Sequence, residues 1–305
     1  GSSSSSSSRS SDGGSDSKRS PHDGLGSGMG AASSSGASAV GASQNGGTAT
    51  SVDLGPHKNF GITAHMPGQS LFCYALMMPR SYEQTLLVRQ LRDSVSIFAC
   101  EEYAVYSNEA LQLAPGVLTG VVQSNLTCET GGEFKTALNT PIFLAVWRKL
   151  INDARFLLHD WTIKVDPDTV FFPQRLRYRL QPHTDVPEGV YFNNCRFGLH
   201  GPLEVFSRNA VRVWNTGMQR CESHFKRLCK GPCEWGEDMF IDQCLSKVLH
   251  VRRLADGNLL QEDHCNPPKG WESCRAKKVV AFHPFKQLPK YLKCVRNANE
   301  EGHGA

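Results

Sequence analysis

Two carboxylates, Asp166 and Asp168, close the apolar run of IKVDPDTVFF at 163–172, with Pro167 between them. Each raises the other's cost of ionising unless a cation lies between them. In an extended backbone residues i and i+2 project to one face, and Pro167 biases Asp166 towards β or polyproline geometry. Both side chains can therefore meet a single divalent cation. Oxygen ligands suit Mg²⁺ or Mn²⁺, ions that keep open positions for the oxygens of a diphosphate. The competing reading is an Asp-Pro turn whose carboxylates satisfy backbone N–H groups. A D-x-D arises easily by chance, so position and company decide between the two.

Two further segments supply company. In EWGEDMFIDQCLSKVL at 234–249, about 100° per residue puts Phe240, Ile241, Cys244, Leu245, Val248 and Leu249 on one helical face. Glu237 falls within that face and Asp238 at its border. Acidic residues in a first turn often only complement the helix dipole. The sharper expectation makes Asp238 a general base, provided that burial or Glu237 offsets the acidifying helix N-terminus. In KKVVAFHPFK at 277–286 an apolar strand ends in His283-Pro284, with Lys286 three residues on. A histidine there is commonly a hydrogen-bonded turn residue. Combined with the aspartates, His283 completes a metal site and Lys286 neutralises a phosphate.

These groups need a scaffold. The run SLFCYALMM at 70–78 reads as a strand buried on both faces, followed by a helical pattern ending near Asp93. Further strands are expected at 95–108 and 117–123, then a helix at 141–158 opened by Pro141, then the strand WTIKV at 161–165. Alternating strands and helices predict an α/β fold with a mostly parallel central sheet flanked by helices. Ligands of such sheets gather at the carboxyl ends of strands, where Asp166 stands.

The first 59 of 305 residues contain no Phe, Trp or Tyr and are dominated by Ser, Gly and Ala. They cannot bury enough apolar area to offset ordering entropy, so 1–59 is expected to be a disordered tail or stalk before a catalytic domain at 60–305. The net charge of +4 is spread along the chain, which argues against nucleic acid as a partner. All 11 cysteines follow residue 72, and most crowd between Cys221 and Cys294. Without a C-x₂-C pair, disulfides and an oxidising compartment are expected rather than zinc. The odd count leaves one thiol over, and Cys73 within LFCYALMM is expected to be that buried free thiol. Asn125-Leu126-Thr127 is a glycosylation sequon. No apolar run long enough to span a bilayer and no signal peptide is visible. The chain starts with Gly, as a fragment or processed product would, and a membrane anchor upstream of the stalk is compatible with that.

Taken in order, the first strand and helix at 70–93, IKVDPDTVF at 163–171, FGLHGPLEVFSRNAV at 197–211, WGEDMFIDQCL at 235–245 and AFHPF at 281–285 resemble inverting glycosyltransferases of the GT-A (Rossmann-like) fold. The nearest group is that of the fringe and β-1,3-galactosyltransferase enzymes. The resemblance implies a nucleotide-sugar donor, a UDP-sugar, with Mn²⁺ (or Mg²⁺) as cofactor and a glycan or glycoprotein as acceptor, in the Golgi lumen of the secretory pathway. It implies Asp168 as the main metal ligand, Asp166 on the ribose or a metal-bound water, His283 as the second protein ligand, and Asp238 as the base that deprotonates the acceptor. Residues 197–208 match the segment lining the donor and acceptor cleft, with Ser207 structural. Two departures stand out: Pro167 replaces a usual third carboxylate, and Leu199-His200-Gly201-Pro202 replaces a more glycine-rich segment. Cys233 and Cys244 bracket the acidic pair, so a disulfide from either would steady Asp238. Two other classes compete: a Cys-rich secreted binding module, or inactive transferase relative, whose acidic pairs only cap and turn, and a metal-dependent phosphoryl hydrolase using the same carboxylates.

Overall fold

The apolar run at 70–78 forms β1, Leu71–Leu76, and it is apolar throughout because both its faces are covered. Phe72 and Tyr74 pack with Trp147 and Trp214 on one side, while Leu71, Cys73 and Ala75 pack with Leu87, Ile163 and Leu176 on the other. Each large side chain so buried contributes about 1.5–3 kcal/mol. The computed structural model describes residues 68–133 and 135–300; the expected 1–59 tail and the first residues of the expected 60–305 domain lie outside the described residues.

After β1 the chain forms α1 (Tyr82–Asp93), capped by the Ser81 side chain, then β2 (Glu102–Ser107) and β3 (Gly120–Val121). Helix α2 (Thr140–Asp153) has Pro141 in its first turn, where the missing N–H costs nothing. Strand β4 (Trp161–Val165) leads through the 166–169 turn into β5 (Val170–Phe171) and α3 (Pro173–Leu180). Then come β6 (Val190–Asn193), β7 (Leu203–Ser207), α4 (Arg208–Leu228) and α5 (Glu237–Gln243). Strands β8 (Arg252–Ala255), β9 (Leu260–Gln261) and β10 (Ala281–Phe282) precede α6 (Leu288–Asn299).

The seven-stranded central sheet has the order β8-β6-β7-β4-β1-β2-β3. Only β7 runs against its neighbours, antiparallel to both β4 and β6; the other pairings are parallel. The fold is thus the expected α/β architecture with a mostly parallel sheet. From β1 the chain first builds outward through β2 and β3, then returns to lay β4 on the opposite side of β1. That reversal leaves a crevice at the carboxyl ends of β1 and β4. A second sheet, β9-β10-β5, joins the segment just after β4 to the last two strands of the chain.

Several boundaries differ from expectation. Of 95–108 only Glu102–Ser107 is strand, because Ser94 and Ser96 take the left-handed conformation and Ser96–Ala99 folds into a 3₁₀ turn that buries Ile97 and Phe98. The expected strand at 117–123 is split: Val117–Leu118 joins a hairpin with Gln112–Ala114, and Gly120–Val121 extends the central sheet. The helix expected over 141–158 stops at Asp153, where Ala154 takes a left-handed cap before a 3₁₀ turn at Arg155–Leu158.

Five disulfides form: Cys73–Cys100, Cys195–Cys265, Cys221–Cys244, Cys229–Cys233 and Cys274–Cys294. Bridges of this kind typically contribute about 2–4 kcal/mol each. Cys73 is therefore not the free thiol. Its side chain leaves β1 on the face that the 96–99 turn covers, which brings Cys100 to it. The unpaired cysteine is Cys128, in an exposed loop. No helix among the described residues is long and apolar enough to cross a membrane.

Candidate functional site

The short β9-β10-β5 sheet assembles one end of the site. Strands β9 and β10 are parallel, with Gln261 beside Phe282, so the next residues, Glu262 and His283, emerge at the same edge. Strand β5 runs antiparallel to β10, with Val170 opposite Phe282, so the residues just before β5 arrive at that edge too. Asp168 is among them, and its carbonyl accepts the Phe285 N–H at 2.8 Å. His283 Nε2 stands 3.4 Å from Asp168 Oδ1, while His283 Nδ1 meets Glu262 Oε2 at 3.1 Å. Tyr82 donates from α1 to Asp168 Oδ2 at 3.3 Å. Ligand atoms of Asp166, Asp168 and His283 all lie within 4.8 Å of one another.

The 166–169 segment is also a turn, closed by Thr169 N–H to Asp166 C=O at 3.0 Å. The backbone makes that turn, and the two carboxylates face other side chains. Two carboxylates and one imidazole are a hard-to-borderline donor set that suits Mn²⁺ or Mg²⁺. A spacing of 3.4 Å is close to the ~3 Å separating neighbouring ligands around such an ion. Glu262 holds His283 through Nδ1 and leaves Nε2 aimed at Asp168, as a carboxylate behind a metal-binding histidine does.

Electrostatics fit mutual neutralisation. Burial opposes a charge on His283, but Asp168 and Glu262 outweigh it and hold the imidazolium up to about 9. Burial likewise opposes a charge on Glu262, and hydrogen bonds from His200 and His283 outweigh it, pulling the carboxyl down to about 2. Asp168 follows the same pattern: burial raises it, and His283 and Lys286 bring it below the usual carboxylate range.

Beneath Asp166 lies a second cluster. Alternation along β4 sends Lys164 to the face opposite Ile163 and Val165, directly across from Glu204 in the antiparallel pairing with β7. Its ammonium donates to Gly201 C=O at 2.7 Å and lies 3.3 Å from Asp166, 3.3 Å from Glu204 and 3.4 Å from Glu237, over the Phe143 ring. Burial disfavours this charge, but the carboxylates prevail and push the lysine well above its ordinary value. Glu204, wholly buried and without a hydrogen bond to either oxygen, is pushed well above the ordinary carboxylate range by burial and then by Glu237.

Asp238 stands at the start of α5. Its Oδ2 accepts the Gly201 N–H at 3.1 Å and its Oδ1 the Met239 N–H at 2.7 Å. The expected helical face forms, with Glu237, Phe240, Ile241, Cys244, Leu245 and Val248 buried, although Cys244–Val248 is a π turn. A Cβ at Gly201 would come 3.2 Å from Lys164 Nζ and 3.7 Å from Asp238 Oδ2, so glycine allows these groups to close on one another. Cys244 pairs with Cys221, which anchors α5 to α4, whereas Cys233 closes only the local loop to Cys229.

A cleft of about 300 Å³ opens at the ends of β1 and β4. Met78, Tyr82, Asn139, Phe143 and Lys286 line it alongside Asp166, Asp168 and His283. Asp238 is not among its lining residues. It connects to the cleft through two short paths, Gly201–Lys164–Asp166 and His200–Glu262–His283. His200 Nδ1 is 4.0 Å from Asp238 Oδ2 and His200 Nε2 is 2.6 Å from Glu262 Oε1.

Four residues of this site are not among those the sequence pattern singles out as site residues. Lys164 reads as an outward lysine in an alternating strand. Glu262 follows an ordinary LLQ run. His200 is visible only as a departure from a glycine-rich segment. Glu83 lines the cleft in the first turn of α1 and accepts the Met78 N–H at 2.6 Å; burial raises its carboxyl to about 7. The Ser81-x-Glu83 start of a helix placed straight after β1 was the available signal for it.

No model of a known protein family matches the chain. Among solved structures the chain is similar to that of a glycosyltransferase involved in the glycosylation of the major capsid of PBCV-1, at 10% identity and a TM-score of 0.39, over 75% of this chain and 98% of that one.

Proposed function

We propose that the protein is a glycosyltransferase of the secretory pathway, acting in the Golgi lumen, that moves a hexose from a UDP-sugar to a hydroxyl of a glycan or glycoprotein with inversion. The observation that most supports this reading is the convergence of Asp166, Asp168 and His283 at the mouth of a cleft at the carboxyl ends of β1 and β4. Five disulfides fit an oxidising compartment.

Asp168 and His283 would hold the divalent ion, with Asp166 on it or on the ribose. When bound, Mn²⁺ or Mg²⁺ supplies positive charge against the departing diphosphate. Glu262 keeps His283 in the tautomer that presents Nε2. Lys286, exposed at the rim, adds a second positive charge for the phosphates. Asp238 takes the proton of the acceptor hydroxyl as that oxygen bonds to the anomeric carbon. The bond from this carbon to the diphosphate breaks, its electron pair leaves with UDP, and Asp238 returns its proton to solvent. The partial exposure of Asp238, 29% of its side chain, gives an acceptor access to it.

The test is a donor-hydrolysis and transfer screen over UDP- and GDP-sugars, with and without Mn²⁺, on the protein and on Asp168→Ala. Metal-dependent turnover of a UDP-sugar that Asp168→Ala abolishes while the variant stays folded is expected. Turnover unchanged in the variant would remove the metal assignment, and release of inorganic phosphate would assign a hydrolase instead.

A further inference from the structure

Glu262 meets imidazoles through both of its oxygens. Its Oε2 is taken by His283, but its Oε1 faces two other imidazole nitrogens, His200 Nε2 at 2.6 Å and His264 Nδ1 at 3.3 Å. One ligand atom from each of His200, Glu262 and His264 lies within 4.8 Å of the other two. The carboxylate is almost fully buried, at 2% exposure, whereas the His264 side chain is 80% exposed. A solvent-screened contact adds little on its own, so hydrogen bonding gives a weak reason for an exposed imidazole to be held over a buried carboxylate that already has two partners.

The segments carrying these ligands are fixed independently of any ion. Cys195–Cys265 joins them, with His264 adjacent to the bridge. The Asn194 side chain accepts the His200 N–H and donates to the His200 C=O, both at 2.8 Å. A site built this way loses little chain entropy when an ion enters.

We propose that His200 Nε2, Glu262 Oε1 and His264 Nδ1 form a second cation site, suited to Zn²⁺ and joined to the aspartate cluster through the other oxygen of Glu262. Two imidazoles and a carboxylate are a zinc donor set, with solvent in the fourth position, whereas the Asp166/Asp168/His283 set favours a harder ion. Ligands about 2.0–2.2 Å from a tetrahedral zinc lie about 3.3 Å apart. His264 and Glu262 already have that spacing, and the 2.6 Å contact of His200 lengthens as its hydrogen bond is replaced. Zinc here would clamp the 195–201 loop, whose Gly201 N–H holds Asp238, onto the 262–265 turn. It would thereby act on the proposed base without touching substrate.

Zn²⁺ titration by calorimetry on metal-free Asp168→Ala protein isolates this site from the first. One tightly bound Zn²⁺ per chain is expected, weakened about tenfold or more when His264→Ala is added. His264 is exposed, so its loss leaves the fold intact, and circular dichroism checks this. Absence of zinc binding to Asp168→Ala, or a loss smaller than tenfold on adding His264→Ala, overturns the proposal. Mn²⁺ binding by the single His264→Ala variant reports on the first site alone, so failure of one site is told apart from failure of the other.

Discussion

Replacing Lys164 by Met removes the cation from a cluster holding Asp166, Glu204 and Glu237. Methionine has a similar length and keeps the apolar contact with Phe143. Burial and Glu237 already push Glu204 well above the ordinary carboxylate range. Glu237, whose side chain is 5% exposed and whose carboxyl burial raises against the pull of Lys164, loses its counter-charge, and Gly201 C=O loses its 2.7 Å donor. Breaking a buried ion pair by deleting one partner costs about 3–5 kcal/mol. At about 2–4 °C per kcal/mol for a domain of this size, the midpoint of thermal unfolding drops by roughly 6–20 °C. Differential scanning fluorimetry at neutral pH reads this directly, and near-UV circular dichroism confirms that the variant is folded before heating. Adding Glu237→Gln removes the stranded charge and recovers at least half of the loss. A drop under about 2 °C for Lys164→Met, or no recovery in the double variant, would refute the assignment of Lys164 as the charge that holds this cluster together.

Further outcomes follow from the same geometry. The Glu83 carboxyl titrates near 7 in the folded protein against 4.5 for a free side chain, so its neutral form favours folding. That contribution is complete below about 4.5 and lost as pH rises through about 7, on the order of 3 kcal/mol at ~1.4 kcal/mol per tenfold change in proton affinity. Glu83→Gln should therefore flatten the fall in urea stability of metal-free protein between pH 5 and 8, and an unchanged slope would contradict this. Asp238→Asn should lower kcat for transfer by about 10²–10⁴-fold with little change in donor affinity. A loss confined to KM would make Asp238 a binding residue.

The sequence displayed those parts of the site that depend on strand ends. Ile163 and Val165 marked β4, so Asp166 and Asp168 were legible as carboxylates at its carboxyl end, and AFHPF marked His283 in the same way. Helical periodicity after Trp235 correctly sorted Glu237 inward and Asp238 to the border. What stayed hidden depends on pairing between distant segments. Lys164 alternates with apolar residues like any solvent-facing lysine, and only the antiparallel register against β7 turns it towards Glu204. Glu262 acquires its place because a two-residue strand, Leu260–Gln261, aligns with Ala281–Phe282, a pairing too short to leave a periodic signal. Cys73 reads as a free thiol in the sequence for a related reason. A cysteine in an apolar strand looks like core filling, and its partner arrives through left-handed Ser94 and Ser96, which break the strand expected over 95–108.

The proposed chemistry depends on Asp166, Asp168 and His283 binding one divalent cation together. Titrating metal-free protein with Mn²⁺ and following the electron paramagnetic resonance signal of the free ion measures this without any assumption about sugar or acceptor. A bound Mn²⁺ is expected whose affinity falls at least tenfold in Asp168→Ala and in His283→Ala, and is unchanged in His264→Ala. Equal Mn²⁺ affinity in folded Asp168→Ala and wild-type protein would contradict it.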